Sequence, residues 1–486
     1  MNLIFSETSG KLCLILFIAI ILRFIFFTNI LHNPERMMYG DSKEYHQLAL
    51  NLLNRHEFGS RENGSFMPDA ERQILYPLFV AGIYLFSGHR PEVIAFFQNL
   101  IDVLSVFLIF CIGQMLAGRS VALVSSTLYA MNPIPLLQNQ FLLTETLFIF
   151  LILVGLFGLF YSMQRHWIWI FISSIAWGLA TYIRHAGMFM VVYLGIFTVA
   201  LQWQTGKIQA FARCAATCGL FLLLLLPWYV RNYTLFNKIF FSTSSKKTFV
   251  IYHVGHTLSR VNNVPPREVL QDFFNQTLSK QGESELSRLK SNTKYWSNWW
   301  NQNPYLTEIF YQEGVQKLSK YPKVYLFGLI QNVLRLSLFP SSSKNENITF
   351  FLGLEPIPIH PLRKELKQFL SEGNWIGAIR HFLEMRIGPL SLLGQILWLW
   401  LFLFEGPVLI LGLLTLFSVF YYKKSFFLKL FCSLSFLTVF YFFASPGLDF
   451  ELRYRFPVEP LLCLCAAIFL CDFNQSKTCR THTFSE

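Results

Sequence analysis

The constraint that governs what this chain can fold into is its series of apolar stretches, each near the length of about 20 helical residues that crosses a bilayer core of roughly 30 Å. They fall near residues 11–30, 93–116, 120–136, 142–161, 167–183, 188–202, 212–230, 395–421, 426–444 and 456–472. With 53% of its 486 residues hydrophobic and only 14% charged, the chain carries more apolar surface than a soluble core could hide. The expected fold is an all-α polytopic membrane protein, a bundle of about ten transmembrane helices and at most thirteen.

Charge placement orients the bundle. Residues 1–10 are polar and residues 11–30 lack an A-x-A-like cleavage site, so the first helix reads as a retained anchor with its N-terminus inside. Alternating from there, the inner turns contain Arg119, then Arg165, then Lys207 and Arg213, then Lys423, Lys424 and Lys429, then Lys477 and Arg480. Basic inner turns are what membrane insertion favours. This parity takes residues 387–421 as one span behind an interfacial stretch, although Glu405-Gly406-Pro407 could divide it. The net charge of +12 is largely explained by inner turns facing anionic headgroups, so no nucleic-acid partner is expected. On this map all nine cysteines lie in spans or on the inner side, which leaves the outer loops without a disulfide framework.

Two outer segments are long enough to be structured. In residues 31–92, Asp41 to Leu53 has helical spacing of Tyr45, Leu48, Leu52 and Leu53, and residues 74–88 are apolar but too short to span. Residues 231–386 form the main extramembrane mass, with an aromatic cluster of Tyr295, Trp296, Trp299 and Trp300 and a second interfacial helix expected between Pro322 and Pro340. The cluster reads as a headgroup-level belt or as a stacking platform for sugar or isoprene groups. Three regions follow: an N-terminal membrane module at 1–230 that includes the first outer loop at 31–92, the outer segment at 231–386, and C-terminal helices with a short tail at 387–486.

Asp41, Arg72, Glu145, Arg184, Arg231, Glu451, Arg453 and Arg455 all fall on the outer side of this map. Taken singly, each has a bland role. Asp41 suits a helix N-cap, Glu145 can complement a helix N-terminus, and Arg184 and Arg231 can snorkel from span ends. Collected at one membrane face, the arginines would instead clamp a phosphate. Asp102, inside the second span, reads as a buried polar partner between helices. No P-loop, GxGxxG, GxSxG or HExxH pattern occurs.

The ordered series Tyr39-Gly40-Asp41 with Tyr45, Arg72-x-x-x-Tyr76-Pro77, Leu143-Thr144-Glu145, Tyr182-Ile183-Arg184, Pro227-Trp228-x-x-Arg231-Asn232-Tyr233 and Arg453-Tyr454-Arg455-x-Pro457 resembles the GT-C glycosyltransferases. Within them it looks like bacterial relatives of the protein O-mannosyltransferases and of the lipid A aminoarabinose transferase. The resemblance covers most of residues 10–472 and is poor in the large outer loop. It implies a GT-C-type bundle that transfers a sugar from a polyprenyl-phosphate donor, usually with inversion, to a lipid, glycan or protein acceptor at the outer face of the bacterial inner membrane. It further implies Asp41 and Glu145 as catalytic residues, Arg72, Arg184, Arg231, Arg453 and Arg455 as donor-phosphate ligands, and Tyr45, Tyr76 and Tyr454 as substrate contacts. Asp41-Ser42 replaces the Asp-Glu pair of some members, and Arg184-His185 replaces Arg-Pro. No cofactor is assigned; a divalent cation would have only Asp41 and Glu145 as candidate ligands. The rival readings are a transporter or flippase of lipid-linked sugars and a non-catalytic membrane scaffold.

Overall fold

A computed structural model describes residues 9–31, 33–62, 64–203, 206–291, 300–338, 348–353, 390–421, 425–445 and 452–482, together with Asn374 and Gly377. Tyr295, Trp296, Trp299, Lys423, Lys424 and Glu451 lie outside the described residues. The helices are α1 (Ser9–Leu31), α2 (Ser42–Arg55), α3 (Leu75–Ser87), α4 (Pro91–Ala117), α5 (Arg119–Ala130), α6 (Pro133–Gln138), α7 (Glu145–Gln164), α8 (Ile170–Thr181), α9 (Met190–Gln202) and α10 (Lys207–Phe236). They continue as α11 (Ser244–Thr248), α12 (His256–Asn262), α13 (Pro266–Ser291), α14 (Pro304–Ser319), α15 (Pro322–Leu338), α16 (Leu392–Tyr421), α17 (Phe426–Ala444) and α18 (Glu459–His482).

Eight helices among the described residues are long and apolar enough to cross a membrane. The two other expected spans correspond to the shorter α8 and to α18. The 30-residue α16 is continuous through Pro407, so Glu405-Gly406-Pro407 does not split it. The expected interfacial helices are present as α3, whose 13 residues are too short to span, and as α15. α10 runs on to Phe236, which puts Arg231 inside a helix rather than at its end. Large side chains such as Phe17, Phe24, Leu223 and Phe417 remain exposed on the bundle surface, as lipid-facing positions should.

Close helix contact depends on small residues. An added Cβ at Gly155 of α7 would lie 2.1 Å from the Trp177 indole nitrogen. That bare strip lets Trp177 of α8 bury completely and donate its N–H to the Ile152 carbonyl at 3.1 Å. Between α1, α4 and α5 the bundle is polar at one point. Asp102 accepts from Arg23 at 2.6 Å and from the Tyr129 hydroxyl at 2.8 Å, while Arg23 also donates to the Ala19 and Ala130 carbonyls. Asp102 is thus a buried partner between helices, and Arg23 is the cation that the apolar run of α1 concealed.

Helices α12 to α14 and the π-helical turn Phe249–Gly255 share a core of their own, formed by Val250, Val254, Leu258, Val269, Phe273, Leu306 and Phe310, while α15 packs against α16 and α17. Trp300 packs against Phe274 and Phe310 at ring distances of 5.2 and 5.5 Å. The one described member of the aromatic cluster therefore serves packing, not an open stacking surface. A short hairpin of β1 (Gly59–Glu62) and β2 (Ser65–Pro68) extends the first loop toward these helices.

Breaking the buried pair from one side leaves a charge without its partner, a loss of about 3–5 kcal/mol. Arg23→Met should therefore lower the melting temperature of the purified protein more than Arg23→Met combined with Asp102→Asn. A thermal unfolding series of the three proteins checks this.

Candidate active site

The site is built at the end of the bundle where the first loop, the starts and ends of helices and the outer segment meet. Gly40, at φ +57°, turns the chain in a way L side chains resist, and Asp41 follows it into α2. Asp41 occupies the N-cap position of α2, yet its side chain makes no capping bond. Its carboxylate instead accepts both terminal nitrogens of Arg72, at 2.9 and 3.2 Å, and Arg453 at 2.6 Å. Burial alone would raise the Asp41 pKa, but the Arg453 and Arg72 guanidiniums overcome it and hold the carboxyl well below the usual carboxylate range.

Arg72 is aimed by a tight turn. The Asp69 carboxylate accepts the backbone N–H groups of Glu71, at 2.8 Å, and of Arg72. The Leu75 N–H then donates to the Tyr182 carbonyl at 3.0 Å, joining the first loop to the end of α8. From this anchor Arg72 also reaches Glu44 at 2.6 Å, and its guanidinium lies 5.2 Å from the centroid of the Tyr45 ring. Across the site, Arg184 follows α8 and donates to Thr144 at 3.0 Å and to Glu145, the first residue of α7.

These groups enclose a cavity of about 220 Å³ lined by Asp41, Tyr45, Arg72, Glu145, Arg184, Arg453 and Tyr454. Seven of the ten residues marked in the sequence thus come together. Arg231, Arg455 and Tyr76 do not line it. Arg231 is drawn aside by aromatic faces: its guanidinium sits 4.6 Å from the Trp228 ring and donates to the Asp69 carbonyl at 2.7 Å. Arg455 is only 1% exposed and pairs with Glu459 and with Glu405. Asn132 binds the same Glu459 at 2.7 Å, which closes a buried network around the start of α18. Tyr76 is fully buried, with its hydroxyl on Gln98 at 2.7 Å. Arg231, Arg455 and Tyr76, expected as phosphate ligands and a substrate contact, thus stand outside this cavity.

The cavity also has walls the motifs did not mark: Glu71, His185, Tyr441 and Ser445, and from the outer segment Ser244, Ser245, Lys247, Thr248 and Tyr252. Glu71 stands beside a marked arginine, whereas Lys247 has no sequence signal beyond a polar run. Among the described lining residues, four cations (Arg72, Arg184, Lys247, Arg453) face three carboxylates (Asp41, Glu71, Glu145). A divalent cation needs oxygen ligands not already neutralised by fixed cations. Asp41 is held by two arginines and Glu145 by one, so the donor set as arranged does not fit a metal. Among the described residues no three His, Cys, Asp or Glu side chains gather into a metal site.

Burial of Asp69 pushes its carboxyl up to about 6, against the lowering effect of the backbone N–H of Arg72. An acid with a raised folded pKa stabilises the fold below the unfolded value of about 3.9 and loses that contribution as pH rises through the folded one. Between about pH 4 and 6 stability should therefore fall with a component on the order of 2–3 kcal/mol that Asp69→Asn removes. Melting temperatures of both proteins across that range decide it; parallel curves would refute it.

With this geometry in place, comparison with known proteins is informative. Residues 71–230 match the family model described as dolichyl-phosphate-mannose-protein mannosyltransferase. No curated protein matches the sequence. Among solved structures, the oligosaccharyltransferase AglB from Archaeoglobus fulgidus, in complex with an inhibitory peptide and a dolichol-phosphate, is similar with a TM-score of 0.51 at 14% identity. The alignment covers 99% of this chain and 52% of that one, so the chain spans about half the length of that enzyme. ArnT from Cupriavidus metallidurans, bound to undecaprenyl phosphate, aligns with a TM-score of 0.41 at 13% identity over 84% of this chain and 80% of that chain. The matched segment contains Arg72, Glu145 and Arg184, and the likeness to the archaeal oligosaccharyltransferase, at 14% identity, is one of fold.

Proposed function

We propose that the protein is a glycosyltransferase that moves a single hexose or pentose from a polyprenyl phosphate to a hydroxyl of a lipid, glycan or protein acceptor. The observation that carries this reading is the Asp41 carboxylate, turned away from its capping role and held in the cavity between Arg72 and Arg453. A volume of about 220 Å³ suits one sugar ring with its phosphate rather than an oligosaccharide. The polar groups gather at one end of the bundle, whereas a transporter would place its binding groups near the midplane.

In this reading the acceptor hydroxyl attacks the anomeric carbon on the face opposite the phosphate. The new C–O bond forms as the bond to the phosphate oxygen breaks, and the configuration inverts. Polyprenyl phosphate leaves as a stable anion, so the site must neutralise negative charge on the departing oxygen more than donate a proton to it. Arg184, Arg453 and Arg72 line the space in which that charge develops. The acceptor's proton passes to Asp41 or is oriented by it. While two guanidiniums hold Asp41 it is a weak base. A donor phosphate that draws on the same arginines loosens that hold and raises its basicity, which links donor binding to activation of the acceptor.

The site faces the outer, periplasmic side of the bacterial inner membrane in this reading. In intact cells, cysteines introduced by Ser60→Cys and Trp300→Cys should react with an impermeant thiol reagent, and one introduced by Lys424→Cys should not. Labelling at position 424 would reverse the orientation.

Asp41→Asn preserves shape and deletes charge and basicity. Transfer should drop by on the order of 10²-fold or more, with binding of polyprenyl phosphate retained, when the purified variant is assayed with lipid-linked sugar. Turnover near that of the unmodified protein would remove Asp41 from the chemistry.

A further inference from the structure

The cations of the cavity are not held alike. Arg72 is fixed by two bonds to Asp41 and another to Glu44, Arg453 by Asp41, and Arg184 by Thr144 and Glu145. Lys247 makes one ion pair, at 2.7 Å to Glu71, and its side chain is 26% exposed whereas that of Glu71 is 2% exposed. Glu71 has other partners: Asn301 donates to its second carboxylate oxygen, and Arg72 stands 3.7 Å away. Lys247 can therefore leave without stranding a buried charge, the circumstance that usually makes such a pair hard to break.

The backbone beneath Lys247 is fixed even though its ammonium is not. Thr243 N–H donates to the Ala70 carbonyl at 3.0 Å, Ser242 donates its hydroxyl proton to the Glu71 carbonyl at 2.5 Å, and Lys247 N–H bonds the Thr243 carbonyl at 2.9 Å. These bonds stitch the outer segment to the turn that aims Arg72. Ser244, Ser245 and Thr248 line the same wall and add hydroxyl donors. A flexible four-carbon stem on a rigid base, carrying a point charge beside hydroxyls, suits an anion that arrives and departs.

We propose that Lys247 is a phosphate-binding residue of this cavity, exchanging Glu71 for a phosphate oxygen of the substrate; the proposal rests on the reading of the cavity as a sugar-phosphate site. The outer segment, which the family match does not cover, thereby supplies a ligand that completes the charge around the phosphate.

The test measures binding of undecaprenyl phosphate, and separately of inorganic phosphate, to the purified full-length protein and to K247A, K247M, K247R and E71Q, each first checked for cooperative unfolding. K247A should weaken binding on the order of 10- to 100-fold, as expected for loss of a hydrogen bond to a charged group. K247M, which keeps the stem and its packing, should behave like K247A, and K247R should restore most of the affinity. E71Q releases the ammonium and should bind at least as tightly as the unmodified protein. A loss seen with undecaprenyl phosphate assigns Lys247 to the donor; a loss confined to inorganic phosphate assigns it to a phosphate on the acceptor. Unchanged binding of both probes by K247A and K247M overturns the proposal, as does an E71Q loss equal to theirs, which would mark the pair as structural. Failure of the unmodified protein to bind either probe would instead overturn the sugar-phosphate reading itself, and this proposal with it.

Discussion

The structure depends on one carboxylate shared by two guanidiniums. Asp41 stands at the start of α2, Arg72 in the turn before α3, and Arg453 in the loop before α18, 412 residues further along the chain than Asp41. No local propensity could bring these three together. Once the helices are packed, however, the half-buried carboxylate requires cations, and the arginines require an anion. The site is therefore a consequence of assembly. A disturbance in the first loop or in the last one would be felt at the same two oxygen atoms.

The membrane-embedded part follows the same logic with a different outcome. Arg23 with Asp102, and Arg455 with Glu459 and Glu405, are charges removed from water and neutralised by one another. Such pairs gain little net stability over apolar packing, yet they make wrong pairings costly. Arg23 ties α1 to α4 and to the end of α5, and Arg455 ties the loop that bears Arg453 to α16 and α18. The second network has a direct consequence for the site. Arg453 can be aimed at Asp41 because its neighbour two residues on is locked in the bundle.

Length and hydropathy made the helices legible, since a run of apolar residues near span length has few alternatives to a membrane helix. The order of motifs marked five of the seven described carboxylates, arginines and lysines that line the cavity. What it could not resolve was which arginine faces inward, because residue type does not encode direction. Arg231 lies within α10, where the faces of Trp228 and Phe236 compete for its guanidinium. Arg455 lies one turn before Glu459 and meets it at i,i+4 spacing, a pairing written in the sequence but outweighed there by the arginine pattern. Arg23 was hidden within an apolar run and Lys247 within a polar one. Neither carries a local signal, because each has meaning only against a partner from a distant segment.

On the proposed reading, in which Asp41 serves as the base, a site that neutralises it before substrate arrives has a kinetic logic. In that reading a free Asp41 carboxylate, more basic than the paired one, would be ready to activate water as well as the acceptor hydroxyl, and so to hydrolyse the lipid-linked sugar. Paired with Arg72 and Arg453, its basicity is suppressed. Only a ligand that competes for those guanidiniums restores it, and a phosphate does so by the same bidentate geometry that the carboxylate uses. Donor occupancy then becomes the condition for acceptor activation. In this reading the charge pattern that holds the phosphate also gates the chemistry.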